Sequence, residues 1–184
     1  MKIRPTELPG VVVIEPEVFA DGRGWFLENW RAERFAEHGI AERFEQANTS
    51  QSERGVLRGL HYQWPESQGK LVWVSSGEVL DVAVDIRPES PRFGDFTAVE
   101  LSAENHRQVW VPEGFAHGFQ VLSEQATFAY LCTRAYRAEF DRAIAWNDPD
   151  IAVEWPLEPL GLSDRDRQAP RLRDIPHERL PRQA

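Results

Sequence analysis

Cysteine occurs once in this chain, at Cys132, and no CxxC or paired Cys/His spacing exists. A lone thiol excludes an internal disulfide and a thiolate zinc site, which suits a reducing cytoplasm. Lysine is almost as scarce, with Lys2 and Lys70 set against nineteen arginines. An arginine-rich composition reflects genome bias, yet a lone internal lysine in that background singles out Lys70 as a candidate for a role that needs an ammonium. Nowhere do eighteen apolar residues run together, so no transmembrane helix is expected. The N-terminal stretch MKIRPTELPGVVVIEPE lacks the apolar core and small-residue cleavage site of a signal peptide. Excess positive charge is absent too. A formal net charge of -9 argues against a nucleic-acid partner or an anionic membrane, so an anionic ligand must meet a local cluster of arginine or lysine.

What is present is enough for one domain. At 184 residues the chain is long enough to bury a full core without staples, and no repeat, linker or low-complexity run divides it. A single domain over 1–184 is expected, with an arm from about 167, where alternation gives way to Arg, Asp and Pro. From residue 70 onward, short period-two segments are separated by Gly, Pro, Asn and Asp: KLVWVSS, EVLDVAVDIR, DFTAVELS, RQVWVP, GFQVLS and ATFAYLCTRAY. GVVVIEP, GWFLENW, FEQANTSQS and VLRGLHYQ add further strands. Helical spacing is confined to residues 30–39, where Trp30 and Phe35 share a face and Gly39 supplies a stop. The pattern predicts an all-β jelly roll of the cupin type, a double-stranded β-helix with one or two short helices, whose mouth holds a small ligand.

Cupins commonly bind metal through an H-x-H pair and a further His in a P-x-G-x-x-H turn. The second element is present as PEGFAH, with His117, but the first reads His61-Tyr62-Gln63. Two imidazoles without a third strong ligand make a poor site for a first-row metal, so no metal is expected.

Taken together, the blocks DGRGWFLE (21–28), QANTSQSERGVLRGLHYQ (46–63), QGKLVWVSSGEVLDVAVDIRPESPRFG (68–94), LSAENHRQVWVPEGFAHGFQVLS (101–123), WNDPDIAVEWP (146–156) and LSDRD (162–166) resemble the dTDP-4-dehydrorhamnose 3,5-epimerase family, in the family's order. The resemblance implies inversion at the two carbons flanking the ketone of dTDP-4-keto-6-deoxyglucose, without a cofactor. A proton next to a ketone is acidified because the carbanion delocalises onto oxygen. The chemistry needs a base on one face, an acid on the other and a cation at the enolate oxygen.

Candidate roles follow from matching residues to the family. His61 is the base, since an imidazole titrating near ~6.5 is mostly unprotonated at neutral pH. Asp166 is its partner, stabilising the imidazolium. Tyr136, beyond Cys132-Thr133 in LCTRAYRAE, is the acid; many members carry two adjacent tyrosines here, where this chain has Ala135-Tyr136. Lys70 faces the developing oxyanion. Arg23 and Arg58 contact the nucleotide sugar, with the bidentate fork suited to phosphate. Gln46 and Asn48, two apart on one strand face, hydrogen-bond the sugar or base, and Ser163 and Arg165 of LSDRD join the binding set. Phe26 and Glu28 hold the thymidine, with a neighbouring subunit as one source, and His117 lines the cavity. Trp73, Trp110, Trp146 and Trp155 are read as core or dimer interface and carry no chemistry. The resemblance further implies a homodimer. The alternatives are an epimerase acting at C3 or C5 alone, a metal-dependent cupin and a sugar-binding cupin without catalysis.

Overall fold

A computed structural model describes residues 1–40 and 43–182 of the chain. Thirteen strands occur among them: β1 (Lys2–Pro5), β2 (Val12–Glu15), β3 (Val18–Asp21), β4 (Gly24–Leu27), β5 (Gln46–Glu53), β6 (Leu57–Gln63), β7 (Lys70–Ser76), β8 (Glu78–Asp85), β9 (Phe96–Ser102), β10 (Gln108–Val111), β11 (Phe115–Val121), β12 (Gln125–Cys132) and β13 (Asp141–Ala143). Two short helices accompany them, α1 (Ala32–Ala36) and α2 (Asp164–Arg167). One sheet runs β1-β2-β10-β7-β12-β5, a second β13-β6-β11-β8-β9, and β3 and β4 form a separate hairpin. All the paired strands are antiparallel, and consecutive strands repeatedly belong to different sheets, as a jelly roll requires.

Period-two alternation decides which side chains go where. Val72 and Val74 of β7 and Phe128 of β12 form a core with Val79 and Ala83 of β8 and Phe119 of β11, packing one sheet against the other. The outer face of the five-stranded sheet is covered as well. There Leu60, Tyr62, Val82 and Val84 pack under Leu172, Ile175 and Leu180 of the C-terminal segment. On the outer face of the six-stranded sheet, Ile14, Leu71 and Trp110 pack with Phe35 of α1 and Ile40, with Trp30 against them. The helix is shorter than the expected 30–39, so Trp30 reaches this cluster from the chain ahead of α1 and not from a helical face shared with Phe35. Trp155 packs against the cluster beneath the C-terminal segment, and its indole Nε1 donates to the Trp146 carbonyl at 2.8 Å.

Three differences from the sequence expectation bear on the site. The strand read through ATFAYLCTRAY ends at Cys132, so Tyr136 lies in the irregular stretch beyond the strand. The C-terminal segment is packed down to Leu180 because three apolar residues there reach the core, and Asp148 Oδ2 accepts from the Leu172 N–H at 2.7 Å. The third difference is an irregularity in β6. Its register against β11 shifts between His117↔His61 and Phe119↔Arg58, with Gly59 at φ +121° in the gap. Positions 58 and 61 would face opposite ways in a regular strand. The extra residue of the bulge turns Arg58 onto the same side as His61.

Candidate active site

One cavity of about 280 Å³ lies between the sheets, and a second of about 330 Å³ adjoins it through His61, Lys70 and Tyr130, which line both. The five-stranded sheet contributes Arg58 and His61 from β6 and His117 from β11. The six-stranded sheet contributes Lys70, Tyr130 and Cys132, in neighbouring rows: Cys132 stands opposite Lys70 and Gln46, and Tyr130 opposite Val72 and Asn48. Gln46 and Asn48 share a face as the spacing predicts, with Gln46 Nε2 donating to Asn48 Oδ1 at 2.8 Å.

His61 Nε2 lies 2.5 Å from Asp166 Oδ1. The imidazole is about a third exposed, whereas Asp166 is buried. Asp166 is held by its own helix: Ser163 caps α2, its hydroxyl oxygen accepting from the Asp166 N–H at 3.1 Å. Burial lowers the pKa of His61, opposed by the hydrogen bond and charge of Asp166, while Arg165 and Lys70 add to the lowering. The imidazole is thus a free base at neutral pH. Burial by itself would raise the Asp166 pKa, but the hydrogen bonds from His61 and Ser163 and the nearby cations hold it below the ordinary carboxylate value. With Nε2 directed at the carboxylate, Nδ1 is the ring nitrogen left for a substrate proton.

Burial also lowers the pKa of Lys70, opposed by the charges of Cys132, Asp141 and Asp81. Tyr130 is raised above the ordinary phenol value, mainly by burial, and so carries its proton at neutral pH. Its ring packs near Phe128, which stacks on Phe119 at 4.1 Å between centroids. These aromatics give the cavity an apolar wall beside its polar groups.

Tyr136 sits at the mouth of the second cavity, with 53% of its surface exposed. Its hydroxyl donates to Asp141 Oδ2 at 3.0 Å, and its N–H donates to Gln46 Oε1 at 2.7 Å. Asp141 also grips Arg165, accepting at 2.7 Å from Nη2. Arg58 Nε donates to Ser52 Oγ at 3.1 Å, and Ser163 and His117 line the first cavity. The sequence reading missed Tyr130 and Asp141. For Tyr130 the signal was present, because the alternation of ATFAYLC sets Phe128, Tyr130 and Cys132 on one face. Asp141 carried none, since a three-residue strand is too short to show a period.

The hairpin residues stand apart. Arg23, Phe26 and Glu28 line neither cavity of their own chain. Arg23 is paired with Asp21 at 2.5 Å on an open surface, Phe26 is 68% exposed, and Glu28 lies 3.2 Å from Arg31 and 3.5 Å from Arg34. Among the described residues, no three His, Cys, Asp or Glu side chains come together as metal ligands. No helix among them is long and apolar enough to cross a membrane.

The family model of dTDP-4-dehydrorhamnose 3,5-epimerase matches residues 5–174. A curated dTDP-4-dehydrorhamnose 3,5-epimerase from Pseudomonas aeruginosa is 51% identical over 177 residues, covering 95% of this chain and 97% of that protein. The crystal structure of a dTDP-6-deoxy-D-glucose-3,5-epimerase from Legionella pneumophila, in complex with dTDP-4-keto-L-rhamnose, is 51% identical with a TM-score of 0.97, covering 100% of this chain and 98% of that one. A 3'-monoepimerase from Streptomyces bikiniensis, solved with dTDP as a double mutant in which one histidine and one tyrosine are replaced, is 36% identical with a TM-score of 0.87, covering 92% of this chain and 86% of that one.

Proposed function

This chain belongs to the dTDP-4-dehydrorhamnose 3,5-epimerase family and is an isomerase, and from that membership we propose how its cavity inverts a sugar. The substrate is a dTDP-4-keto-6-deoxy sugar, its ring in the first cavity and its nucleotide toward the second. His61 Nδ1 removes the proton beside the ketone, and Asp166 stabilises the imidazolium that results. Lys70 stands at the enolate oxygen, where an ammonium in a water-poor site lowers the energy of the developing charge. Tyr130 returns a proton to the opposite face. Its phenol comes from the sheet across the cavity from His61, so base and acid approach from two sides.

The shared lining of His61, Lys70 and Tyr130 carries this assignment, in preference to Tyr136 as the acid. Tyr136 is an exposed residue beyond the strand, and its hydroxyl is engaged by Asp141. Its role here is at the nucleotide end, with Gln46, Asn48 and Arg165. Arg165, which lines the second cavity, meets the diphosphate, for which a planar guanidinium fork is suited, while Arg58 faces the sugar in the first.

The protein works as a single domain and as a cytoplasmic homodimer, with no redox cofactor or metal in the reaction. Support for the dimer is the β3–β4 hairpin, which exposes Phe19, Trp25 and Phe26 at 55%, 59% and 68% while Arg23 and Glu28 reach no cavity of their own chain. In a dimer, Arg23, Phe26 and Glu28 of one protomer complete the nucleotide site of the other.

The deciding experiment is incubation of chelator-treated protein with dTDP-4-keto-6-deoxyglucose in deuterated water, read by NMR and mass spectrometry. Deuterium at C3 and C5 with inversion at both is the expected result. Label and inversion at one carbon would make the chain a single-site epimerase, the reading that its likeness to a 3'-monoepimerase favours. No label would overturn the mechanism.

A further inference from the structure

His117, which lines the first cavity, belongs to a second histidine–aspartate pair. His117 Nε2 lies 2.8 Å from Asp81 Oδ2, and the two side chains are only 7% and 1% exposed. In the pairing of β11 with β6, His117 stands opposite His61, so two imidazoles lie side by side on one wall. Asp81 stands opposite Phe119 in the pairing of β8 with β11, on the inner face of the same sheet. Phe128 stacks over the His117 ring from the other sheet, with centroids 6.1 Å apart.

An ionised carboxylate this deeply buried is costly unless it is paired and hydrogen-bonded. Among the described residues, the His117 imidazole is its side-chain hydrogen-bond partner. The bond leaves Nδ1 of His117 free for a ligand, the same use of the ring as at His61. Lys70 lines the same cavity as His117. The groups that act on Lys70 come from four elements: Asp81 from β8, Asp141 from β13 and Cys132 from β12 favour the ammonium, while Arg165 from α2 opposes it.

We propose that Asp81 is a positioning residue for the epimerisation: it turns His117 Nδ1 toward the reacting sugar and supplies the buried negative charge that balances Lys70. The proposal rests on the reading of Lys70 as the group at the enolate oxygen. Because Asp81 is itself out of reach of solvent, its action passes through these two side chains.

The test uses a property of the composition. Lys2 and Lys70 are the only lysines, so the pH dependence of acylation by acetic anhydride, followed by mass spectrometry, reads Lys70 directly with Lys2 as internal reference. In Asp81→Asn, which preserves shape but removes charge, the Lys70 midpoint is expected to fall by about one pH unit, a tenfold greater fraction of free amine at a given pH. The alkaline limb of kcat should move down with it, and kcat should fall by more than KM rises. His117→Gln, which retains the charge of Asp81, is expected to leave the Lys70 midpoint where it was or above. An Asp81→Asn protein whose Lys70 profile superposes on that of wild type, or whose defect lies wholly in KM, would overturn the proposal. If the asparagine variant fails to fold, Asp81→Glu decides: the labelling profile should be preserved and kcat lowered, and a full kcat would overturn the positioning role. Labelling is read without turnover, so failure of the catalytic assignment itself appears separately, as missing deuterium exchange in wild type.

Discussion

His61 and Asp166 are 105 positions apart in the chain and 2.5 Å apart in space. The contact depends on β6 for one partner and on a four-residue helix for the other, a helix whose Arg165 is tied to Asp141 and to the Arg142 carbonyl of β13.

The first prediction concerns this pair. His61→Asn is expected to abolish proton exchange at C3 and C5 while leaving dTDP binding nearly intact, and Asp166→Asn to lower kcat by about 10²–10⁴-fold. Burial depresses the His61 pKa, so the acid limb of kcat/KM in wild type should lie below the ordinary value of ~6.5. Asp166 is the group that holds the His61 pKa up against burial. Its removal should therefore shift the limb to still lower pH, and a limb moving upward in the pH–rate profile would contradict the assignment.

The two tyrosines are separated by a second experiment. Tyr130→Phe should permit wash-in of deuterium with retention but suppress inversion, because His61 can return the proton to the face it came from. Tyr136→Phe should still invert, with the loss expressed in KM. Proton NMR of the sugar in deuterated water distinguishes them, and an inverting Tyr130→Phe would remove that residue from the acid role.

Gly59 offers a structural test. A Cβ there would lie 2.7 Å from the Gly118 Cα and 2.8 Å from the His117 carbonyl oxygen, and the φ of +121° is one that L side chains rarely adopt. Gly59→Ala should cost about 1–3 kcal/mol from backbone strain alone, with the clash in addition, as measured by urea unfolding. Because the bulge is what turns Arg58 into the first cavity, the folded fraction should also bind the dTDP-sugar more weakly.

The hairpin predicts complementation. Arg23→Ala and His61→Asn proteins should each be impaired as homodimers. Mixing them with subunit exchange should restore one intact site per heterodimer, recovering up to about a quarter of wild-type activity on random reassortment, the share set by subunit statistics for a symmetric dimer. A monomer by sedimentation, or no recovery after exchange is demonstrated, would argue against a site shared between protomers.

Much of this was readable beforehand. Alternating segments such as KLVWVSS and EVLDVAVD announced strands because a half-buried sheet writes its two faces into the sequence, and the matched strands fall within them. RGLHYQ and PEGFAH marked the two central histidines. Some short elements were missed: β13 spans three residues, too few to show a period, and the strands at Lys2–Pro5 and Val18–Asp21 carry charged residues or a proline in place of the apolar runs that marked β2, β4 and β10. Nor could the sequence place Tyr136 relative to the strand, since alternation continues past Cys132 in the sequence but the hydrogen-bonded ladder does not.

By itself, then, the sequence determined the fold class, the absence of an internal disulfide and the residue types available to the cavity, because these depend on composition, local period and short motifs. The tertiary structure decided which residues meet. It turned Arg58 to the side of His61 through a bulge, brought Asp166 to the imidazole, paired Asp81 with His117 and carried Arg23, Phe26 and Glu28 away from their own cavity. Contacts of that kind depend on the register between strands and on where distant segments dock, and neither is encoded in the residues adjacent to them in sequence.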